Sequence, residues 1–382
     1  MTTVFTGARK LDVAGQVDDF WMLTDGGTIT QTGVGTAPAA DERVDVAGRW
    51  LVPGFIDLHG HGGGGHAYDD GDDEIIAALT THRAHGTTRS VISLVANPMA
   101  QLRESLEVIA DLVEDDPLVL GSHLEGPYLA QERRGAHNQD HLRTPDQYEI
   151  DGLLAASRGT LCQLTIAPEL PGAMETIEHL VGEGVVVGVG HTEASIEVAR
   201  EAFDRGASIL THAFNAMPGI HHRAPGPITA AFEDPRVTIE LILDGLHVHP
   251  QVAAMAFRAA PGRVALVTDA MAAAGSDDGD YRLGSLNVSV RGGLAVLRGT
   301  NTIAGSTLTQ DQSLRCAITQ AGVAPVDAVM ALTSTPARAI GYADRLGELA
   351  PGFAADAVLM DSEWTVERVW ANGVAINPPR GS

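Results

Sequence analysis

Residues 50–61 read WLVPGFIDLHGH, an apolar run that ends in two histidines. It is the first of eight short runs rich in Val, Ile or Leu, and none of them alternates cleanly between apolar and polar residues. Such runs are typical of parallel strands that are buried on both faces. The other seven are TTRSVISLVANP (87–98), PLVLGSHLEGP (117–127), LCQLTIAPE (161–169), GVVVGVGHT (184–192), ASILTHAFNAM (207–217), VTIELILDGLH (237–247) and RVALVTDA (263–270).

Helix-like stretches separate these runs, for example DDEIIAALTTHRAHG (72–86) and ASIEVAREAFDRG (194–206). Eight strand and helix units in one chain predict an α/β fold of the (β/α)8 barrel type. In that fold the active site lies at the C-terminal ends of the strands. Several runs end in residues that bind metals or transfer protons, so we expect the functional site at that mouth.

Both ends of the chain predict further β structure. Short runs with turn signals fill residues 1–50, and similar runs occur near the C-terminus, where Asn372 and Gly373 mark a tight turn. We expect the two ends to form one small β-sandwich. The predicted domains are therefore residues 1–50 and 345–382 for the sandwich and residues 51–344 for the barrel.

The composition excludes several classes of partner. The 382 residues include 49 acidic and 25 basic side chains, which give a formal net charge of −24. Nucleic acid and anionic membranes would be repelled overall, and no segment approaches the ~20 apolar residues of a membrane span. The N-terminus lacks a signal-peptide core and the two cysteines lie far apart, which predicts a cytoplasmic protein.

The strand ends predict a metal site. His59 and His61 flank one glycine, so both imidazoles can lie on the same face of the first strand. This pair alone is a weak signal, but further candidate ligands end runs three, five, six and eight. They are Glu125, His191, His212 and Asp269. A lone His or Glu on a buried strand is costly without a partner, so six such residues at one mouth predict a shared divalent metal.

The distribution of lysine limits how two metals could be bridged. Lys10 is the only lysine in the chain and lies before the first barrel strand. A carboxylated lysine on a barrel strand bridges two metals in many barrel hydrolases. That bridge is not available here, and a carboxylate must take its place.

Seven motifs together resemble the N-acetylglucosamine-6-phosphate deacetylases, a family of the amidohydrolase superfamily. In chain order they are PGFIDLHGHGG, SHLEGPY, GAHN, GHT, THAFNAMP, DGLHV and VTDA. The resemblance runs from about residue 50 to residue 310 and extends to the β structure at both ends. The set is specific, whereas PGFIDLHGH alone would indicate only the superfamily.

The resemblance implies a metal held by Glu125, His191 and His212. Because this chain keeps both His59 and His61, it looks like the type with two ions per chain, bridged by Glu125. Zn, Fe, Mn and Co suit such ligands about equally well.

The resemblance also implies catalytic and substrate-binding roles. Asp269 would accept a proton from water and pass it to the leaving amine, and His247 would bind the carbonyl oxygen as it gains charge. The residues that match sugar or phosphate contacts are Ala136, His137, Asn215 and Ala216. Arg223 matches an arginine that reaches the phosphate from the neighbouring subunit of a homodimer. We expect Arg133 and Arg134 to be solvated.

The leading hypothesis is metal-dependent hydrolysis of N-acetyl-D-glucosamine 6-phosphate to glucosamine 6-phosphate and acetate. N-acetylgalactosamine-6-phosphate deacetylation is an alternative, because one or two pocket contacts separate C4 epimers. Another amidohydrolase activity, on a cyclic amide for example, is disfavoured by GAHN and FNAMP. A noncatalytic scaffold should have lost ligands, whereas this chain retains all six.

Overall fold

Two eight-stranded sheets organise residues 1–376, the part of the chain that the computed structural model describes. One sheet is built from both ends of the chain and the other from its middle. The terminal sheet contains β1 (Thr2–Asp12), β2 (Gly15–Asp25), β3 (Thr28–Val34), β4 (Glu42–Asp45), β5 (Trp50–Pro53), β19 (Ala357–Met360), β20 (Val366–Ala371) and β21 (Val374–Ala375). The central sheet contains β6 (Phe55–Asp57), β9 (Thr87–Leu94), β10 (Val119–Glu125), β11 (Leu161–Ile166), β12 (Val186–Val189), β13 (Ile209–Leu210), β14 (Thr238–Ile242) and β15 (Val264–Val267).

The central sheet is the predicted barrel. Its strands follow chain order from β6 to β15, and each neighbouring pair is parallel. The first and last strands meet where Gly60 bridges Ala270 and where the Asp57 carboxylate accepts hydrogen bonds from Thr268. Each of the eight apolar runs contains one barrel strand, so the prediction of a (β/α)8 barrel is confirmed.

Helices surround the barrel and follow its strands. They are α1 (Asp72–Ala84), α2 (Met99–Asp115), α3 (Gln147–Ser157), α4 (Ala173–Gly182), α5 (Ile196–Asp204), α6 (Gly226–Glu233), α7 (Pro250–Ala259), α8 (Gln310–Thr319), α9 (Pro325–Met330) and α10 (Ser334–Ala339). In α2, Leu102, Leu106 and Ile109 recur at three- and four-residue spacing and are buried in the core. None of the helices within residues 1–376 has the length and apolar character needed to cross a membrane.

The first apolar run, residues 50–61, is divided between the two sheets. Trp50–Pro53 form β5, which pairs with β1 and β19, whereas Phe55 begins β6. Gly54 separates the two strands, and a Cβ at this position would lie 2.2 Å from the Thr88 hydroxyl oxygen. The expectation of one barrel strand was therefore wrong for the start of this run, because Trp50–Pro53 pair with β1 and β19 of the terminal sheet and only the later part pairs with β9.

The two ends of the chain meet in the terminal sheet. On one side β1 pairs with β2, and on the other its beginning pairs with β4 and its end with β5. Because β5 also pairs with β19, both ends enclose one core that includes Phe5, Met22, Ile29 and Trp370. This arrangement agrees with the predicted small β-sandwich. The domain boundaries after residues 50 and 344 stay predictions.

A buried arginine joins the barrel to the terminal sheet. Arg89 on β9 places its Nε 2.7 Å from Asp356 Oδ2 and its Nη2 2.7 Å from the side-chain oxygen of Asn372. Its Nη1 donates to the Pro117 carbonyl at 2.6 Å. Buried charges are costly unless they are paired, so this cluster favours one fixed arrangement of the two sheets.

Two small sheets lie beyond the central sheet. One pairs β7 (Gly62–Gly63) with β8 (His66–Ala67), and the other contains β16 (Asp280–Leu283), β17 (Leu286–Arg291) and β18 (Leu294–Leu297). The second is an antiparallel excursion of the chain over residues 280–297, after the last barrel strand. Its Val288 and Val290 share a buried cluster with Met271, which follows β15. The excursion therefore packs close to the C-terminal end of the last barrel strand.

Candidate active site

The C-terminal mouth of the barrel brings the six predicted ligands together. Each lies at the end of a barrel strand or just beyond it: His59 and His61 after β6, Glu125 at the end of β10, His191 after β12, His212 after β13 and Asp269 after β15. All but Asp269 are buried residues, and the Asp269 side chain is only 13% exposed. Parallel strands make this possible, because all their C-terminal ends reach the same rim.

Four of these side chains form a first group of possible donors. One ligand atom each from His59, His61, Glu125 and Asp269 lies within 4.8 Å of the others. His61 Nε2 is 3.1 Å from Glu125 Oε2 and 3.3 Å from Asp269 Oδ1. His59 Nε2 is 3.2 Å from His61 Nε2. This spacing would allow one cation to contact all four.

A second group shares Glu125 with the first. Glu125 Oε1 lies 2.9 Å from both His191 Nε2 and His212 Nε2, and these two nitrogens are 3.0 Å apart. His191 Nδ1 lies 2.7 Å from the Arg133 carbonyl, so its proton is on Nδ1 and its neutral Nε2 presents a lone pair to the carboxylate. Two acceptors facing each other at this distance repel unless a cation lies between them. The residues therefore fit a divalent metal.

Both carboxylates of the site are anionic at neutral pH. Burial by itself would raise the pKa of Glu125, but its interactions with the neighbouring imidazoles of His59, His137 and His191 hold that pKa well below its usual range. Burial also acts to raise the pKa of Asp269, yet the neighbouring His59 imidazole and the hydrogen bond from His61 lower it to about 2. The site thus concentrates negative charge among imidazoles, as a cation-binding centre requires.

Three of the strand-end residues have a left-handed backbone. The φ angles are 47° at His191, 29° at His212 and 46° at Asp269. Non-glycine residues rarely adopt this conformation, which costs on the order of 1 kcal/mol or more each. Such strain persists only where surrounding contacts enforce it, and it is often found in functional sites.

His247 follows β14 and is tied to Asp244. Its Nδ1 lies 2.7 Å from Asp244 Oδ2, and its backbone N–H donates to Asp244 Oδ1 at 2.8 Å. Burial would lower the pKa of His247, but the hydrogen bond to Asp244 and the charge of that carboxylate outweigh it and raise the pKa. With Nδ1 engaged, only Nε2 is free to donate to a ligand in the cavity.

A cavity of about 390 Å³ opens over this centre. All five residues that were predicted to contact substrate and belong to the same chain line it: Ala136, His137, Asn215, Ala216 and His247. Arg223 is exposed on the loop between β13 and α6 and is not among the lining residues. Arg133 and Arg134 also line the cavity, and Arg133 pairs with the exposed Glu193; the expectation that both arginines are solvated stays a prediction.

The tautomer of His137 follows from its contacts. Its Nδ1 accepts the Ala96 backbone N–H at 3.2 Å, so a neutral ring carries its proton on Nε2. That nitrogen lies 3.2 Å from Glu125 Oε2. Burial lowers the pKa of His137. The ring is therefore a neutral hydrogen-bond donor beside the shared carboxylate.

Known proteins resemble this chain over nearly its whole length. The profile of the amidohydrolase family matches residues 50–376. The chain belongs to the amidohydrolase family. The motif resemblance to N-acetylglucosamine-6-phosphate deacetylases is confirmed as well, since relatives of that name from Vibrio furnissii and humans are 34% and 35% identical over 85% and 87% of this chain, and over 82% and 85% of their own lengths.

Two further relatives span almost the entire amidohydrolase chain. An N-acetylgalactosamine-6-phosphate deacetylase from Escherichia coli O157:H7 is 36% identical over 98% of this chain and 99% of its own length. The solved structure of an N-acetyl-D-glucosamine-6-phosphate deacetylase from Mycobacterium smegmatis, in complex with N-acetyl-D-glucosamine 6-phosphate, is 41% identical. It has a TM-score of 0.94 and covers 98% of this chain and 99% of its own.

The amidohydrolase site also contains residues to which sequence reasoning gave no role. Leu283, Thr302 and Ile303, in and after the β16–β18 excursion, line the cavity. The local sequence around such residues is the same whether they pack in a core or face a ligand, so no signal in the sequence indicated that these three residues line the cavity. Asp244 did carry a signal, because it precedes His247 by three residues in DGLH. Glu240 carried another, as an acidic residue in the middle of an apolar barrel strand.

The single lysine lies where the sequence placed it, outside the barrel. Lys10 belongs to β1 of the terminal sheet, and its Nζ is 2.8 Å from Asp12 Oδ2. The same carboxylate oxygen accepts the Leu349 backbone N–H at 3.1 Å. Lys10 therefore belongs to the terminal sheet and cannot bridge metals in the barrel. Glu125 is instead the group that both sets of metal donors share.

Proposed function

We propose that this amidohydrolase removes the acetyl group from N-acetyl-D-glucosamine 6-phosphate, giving glucosamine 6-phosphate and acetate. The observation that carries the proposal is the Glu125 carboxylate, shared by two groups of histidines beneath a cavity that Asp269 and His247 also line. Relatives at 34–35% identity carry the name of this activity, and a solved relative binds this sugar phosphate.

The chain offers donors for two ions. Glu125, His191 and His212 would hold one, and His59, His61 and Asp269 with Glu125 would hold the other. Zn, Fe, Mn and Co all suit imidazole and carboxylate donors. A bound divalent ion lowers the pKa of an adjacent water to about 7 and so supplies a nucleophile at neutral pH.

The remaining chemistry belongs to side chains of the cavity. Asp269, anionic because of its low pKa, accepts the proton of the attacking water and passes it to the amide nitrogen, so that the C–N bond breaks with an amine as leaving group. His247 donates from Nε2 to the carbonyl oxygen as negative charge develops there. Asp244 keeps Nδ1 of His247 protonated. The His247 ring must therefore be an imidazolium while its Nε2 donates to the substrate.

The phosphate of the substrate needs cations in a chain of net charge −24. Arg133 and Arg134 line the cavity, and Asn215 and Ala216 lie on its wall. Arg223 is exposed and absent from the lining of its own cavity, which supports a role in the cavity of a neighbouring subunit. We therefore infer a homodimer that acts on a phosphorylated N-acetylhexosamine. We also propose that it acts in the cytoplasm.

N-acetylgalactosamine 6-phosphate is the second candidate substrate. A relative of that name is 36% identical over 98% of this chain. The two sugars differ only in the configuration of one hydroxyl, so one or two contacts in the cavity decide between them. The shared acetamide and phosphate would use the same catalytic groups.

Acetate release from a panel of sugars tests both candidates. We expect turnover of N-acetylglucosamine 6-phosphate, a lower kcat/KM for its C4 epimer, and little turnover of the unphosphorylated sugars. A higher kcat/KM for the galactose epimer would establish the second candidate. No acetate from any of these sugars, with metal bound to the protein, would refute the deacetylase proposal.

A further inference from the structure

A carboxylate without an assigned role lies inside the barrel. Glu240 is in the middle of β14, and its side chain is fully buried. Its Oε1 accepts a hydrogen bond from Gln163 Nε2 at 2.9 Å. Its Oε2 lies 3.4 Å from His59 Nδ1 and accepts the His212 backbone N–H at 3.3 Å. Glu240 thus contacts a side chain of one donor group and the backbone of the other.

The contact with Glu240 determines which nitrogen of His59 carries the proton. Glu240 Oε2 is the hydrogen-bond acceptor in this contact, so the His59 proton belongs on Nδ1. The Nε2 lone pair then faces Glu125 Oε1 at 3.5 Å and Asp269 Oδ1 at 3.6 Å. A histidine that binds a metal through Nε2 needs that tautomer, and an acceptor on the remote nitrogen fixes it.

The other neighbour of His59 does not compete for this role. The His123 ring packs edge-on against His59, with ring centres 4.6 Å apart and planes at 85°. Both nitrogens of His123 are engaged elsewhere, with Ser93 Oγ and Thr165 Oγ1, each at 2.9 Å. His123 therefore supports the ring plane, whereas Glu240 accepts the proton.

The support is unequal among the four candidate histidine ligands. Within residues 1–376, the Nδ1 atoms of His61 and His212 have no hydrogen-bond partner, and that of His191 faces a backbone carbonyl. Only His59 has a carboxylate on its remote nitrogen. A carboxylate there makes the imidazole a stronger donor to a metal and holds its orientation.

We propose that Glu240 is a positioning residue that acts through His59 and sets the affinity of the His59–His61 group for its ion. The proposal rests on the proposed function only in requiring that second ion. It predicts that loss of Glu240 weakens one of two bound ions more than the other, because Glu240 reaches the other group, Glu125 with His191 and His212, only through the His212 backbone N–H.

Two substitutions at position 240 test how the acceptor on His59 affects metal affinity. Glu240→Gln keeps an oxygen acceptor for His59 but replaces the carboxylate with an amide. The Gln163 amide can flip so that its Oε1, which has no partner within residues 1–376, accepts from the new amide group. Glu240→Leu removes the acceptor entirely. Metal-free protein is titrated with Zn²⁺ in competition with a chelator. We expect the ion of the His59–His61 group to lose ~10- to 100-fold in affinity in Glu240→Leu and less in Glu240→Gln.

Two further variants make the titration interpretable. His59→Asn removes the ring itself and identifies the ion that belongs to the His59–His61 group. Thr333→Val is the matched control, because it removes a buried hydroxyl that donates to the Val329 carbonyl at 2.7 Å, in a contact that involves neither a candidate ligand nor His123. It should bind both ions as the wild-type protein does, with any loss confined to the melting temperature.

Several results would overturn the proposal. They are unchanged affinity for both ions in Glu240→Leu, an equal loss of both ions in Glu240→Gln, or a wild-type protein that never holds more than one ion. None of these involves a substrate. Failure of the wild-type protein to release acetate would refute the deacetylase function alone, and the selective loss of one ion would still support the role of Glu240.

Discussion

Asp269 is the residue on which the proposed proton transfers depend. Asp269→Asn should lower kcat at least ~10²-fold, because an amide cannot accept the proton of the attacking water. The fold should persist, since asparagine tolerates the left-handed backbone found here better than most residues. Acetate release and circular dichroism measure the two effects. A variant with near wild-type kcat would remove Asp269 from the mechanism.

Asp244 should tune the pH range of activity through His247. Because the protonated ring is the donor, activity is lost as the pH rises through the pKa of His247, which Asp244 raises. Asp244→Asn removes that charge, so the pKa falls and the alkaline loss of kcat should begin at a lower pH. A kcat profile across neutral and alkaline pH measures this shift. An alkaline limb that stays in place would show that His247 does not act as the protonated donor.

At the scale of elements, α8 begins with a buried carboxylate that reaches back to α1. Asp311 Oδ1 lies 3.1 Å from the Nδ1 of His85, which follows α1, and 2.6 Å from Thr309 Oγ1. Its Oδ2 accepts from Arg315 Nη1 at 3.0 Å. Burial would raise the pKa of Asp311, but the hydrogen bonds and charge of His85 and its other partners lower it from 3.8 to about 2.

That shift makes a pH-dependent contribution to stability. A carboxyl whose pKa is lower in the folded state stabilises the fold above its unfolded pKa, and this stabilisation disappears as the pH falls towards 2. Asp311→Asn should therefore lower the free energy of unfolding by about 2 kcal/mol at neutral pH, and the deficit should shrink in acid. Urea unfolding measures it. Asp327→Asn, at an exposed site in the first turn of α9, is the control. A loss of unfolding free energy in Asp311→Asn that does not change with pH would contradict the role given to the Asp311 charge.

At the scale of the whole molecule, we expect a dimer whose cavities are completed by Arg223 of the neighbouring chain. Arg223→Ala should raise KM for the 6-phosphate sugar ~30-fold or more, because a buried anion would lose a charge-assisted contact. Co-expression with Asp269→Asn should restore activity, since one cavity of a heterodimer then has both Asp269 and a borrowed Arg223. A confirmed heterodimer without recovered activity would show that Arg223 does not act across the interface.

Sequence reasoning located most of the candidate site because local patterns encode it. Each barrel strand lies within an apolar run, and each predicted ligand ends its strand or follows it closely, as His191 and Asp269 illustrate. Parallel strands in a barrel place such ends on one rim, so the positions along the chain were enough to predict that the ligands would meet. The motifs then indicated the family, which the comparisons confirm.

The sequence by itself thus determined the barrel, the family and the set of side chains at its mouth. Tertiary structure alone decided features that depend on distant contacts. Residue 54, where the chain passes from β5 to β6, is a glycine in a place where Thr88 leaves no room for a Cβ, and the excursion after β15 supplies part of the wall of the cavity. Glu240 lies 181 residues from His59 along the chain. Hydropathy and spacing report only on near neighbours, whereas contacts of this kind exist only once the barrel has closed.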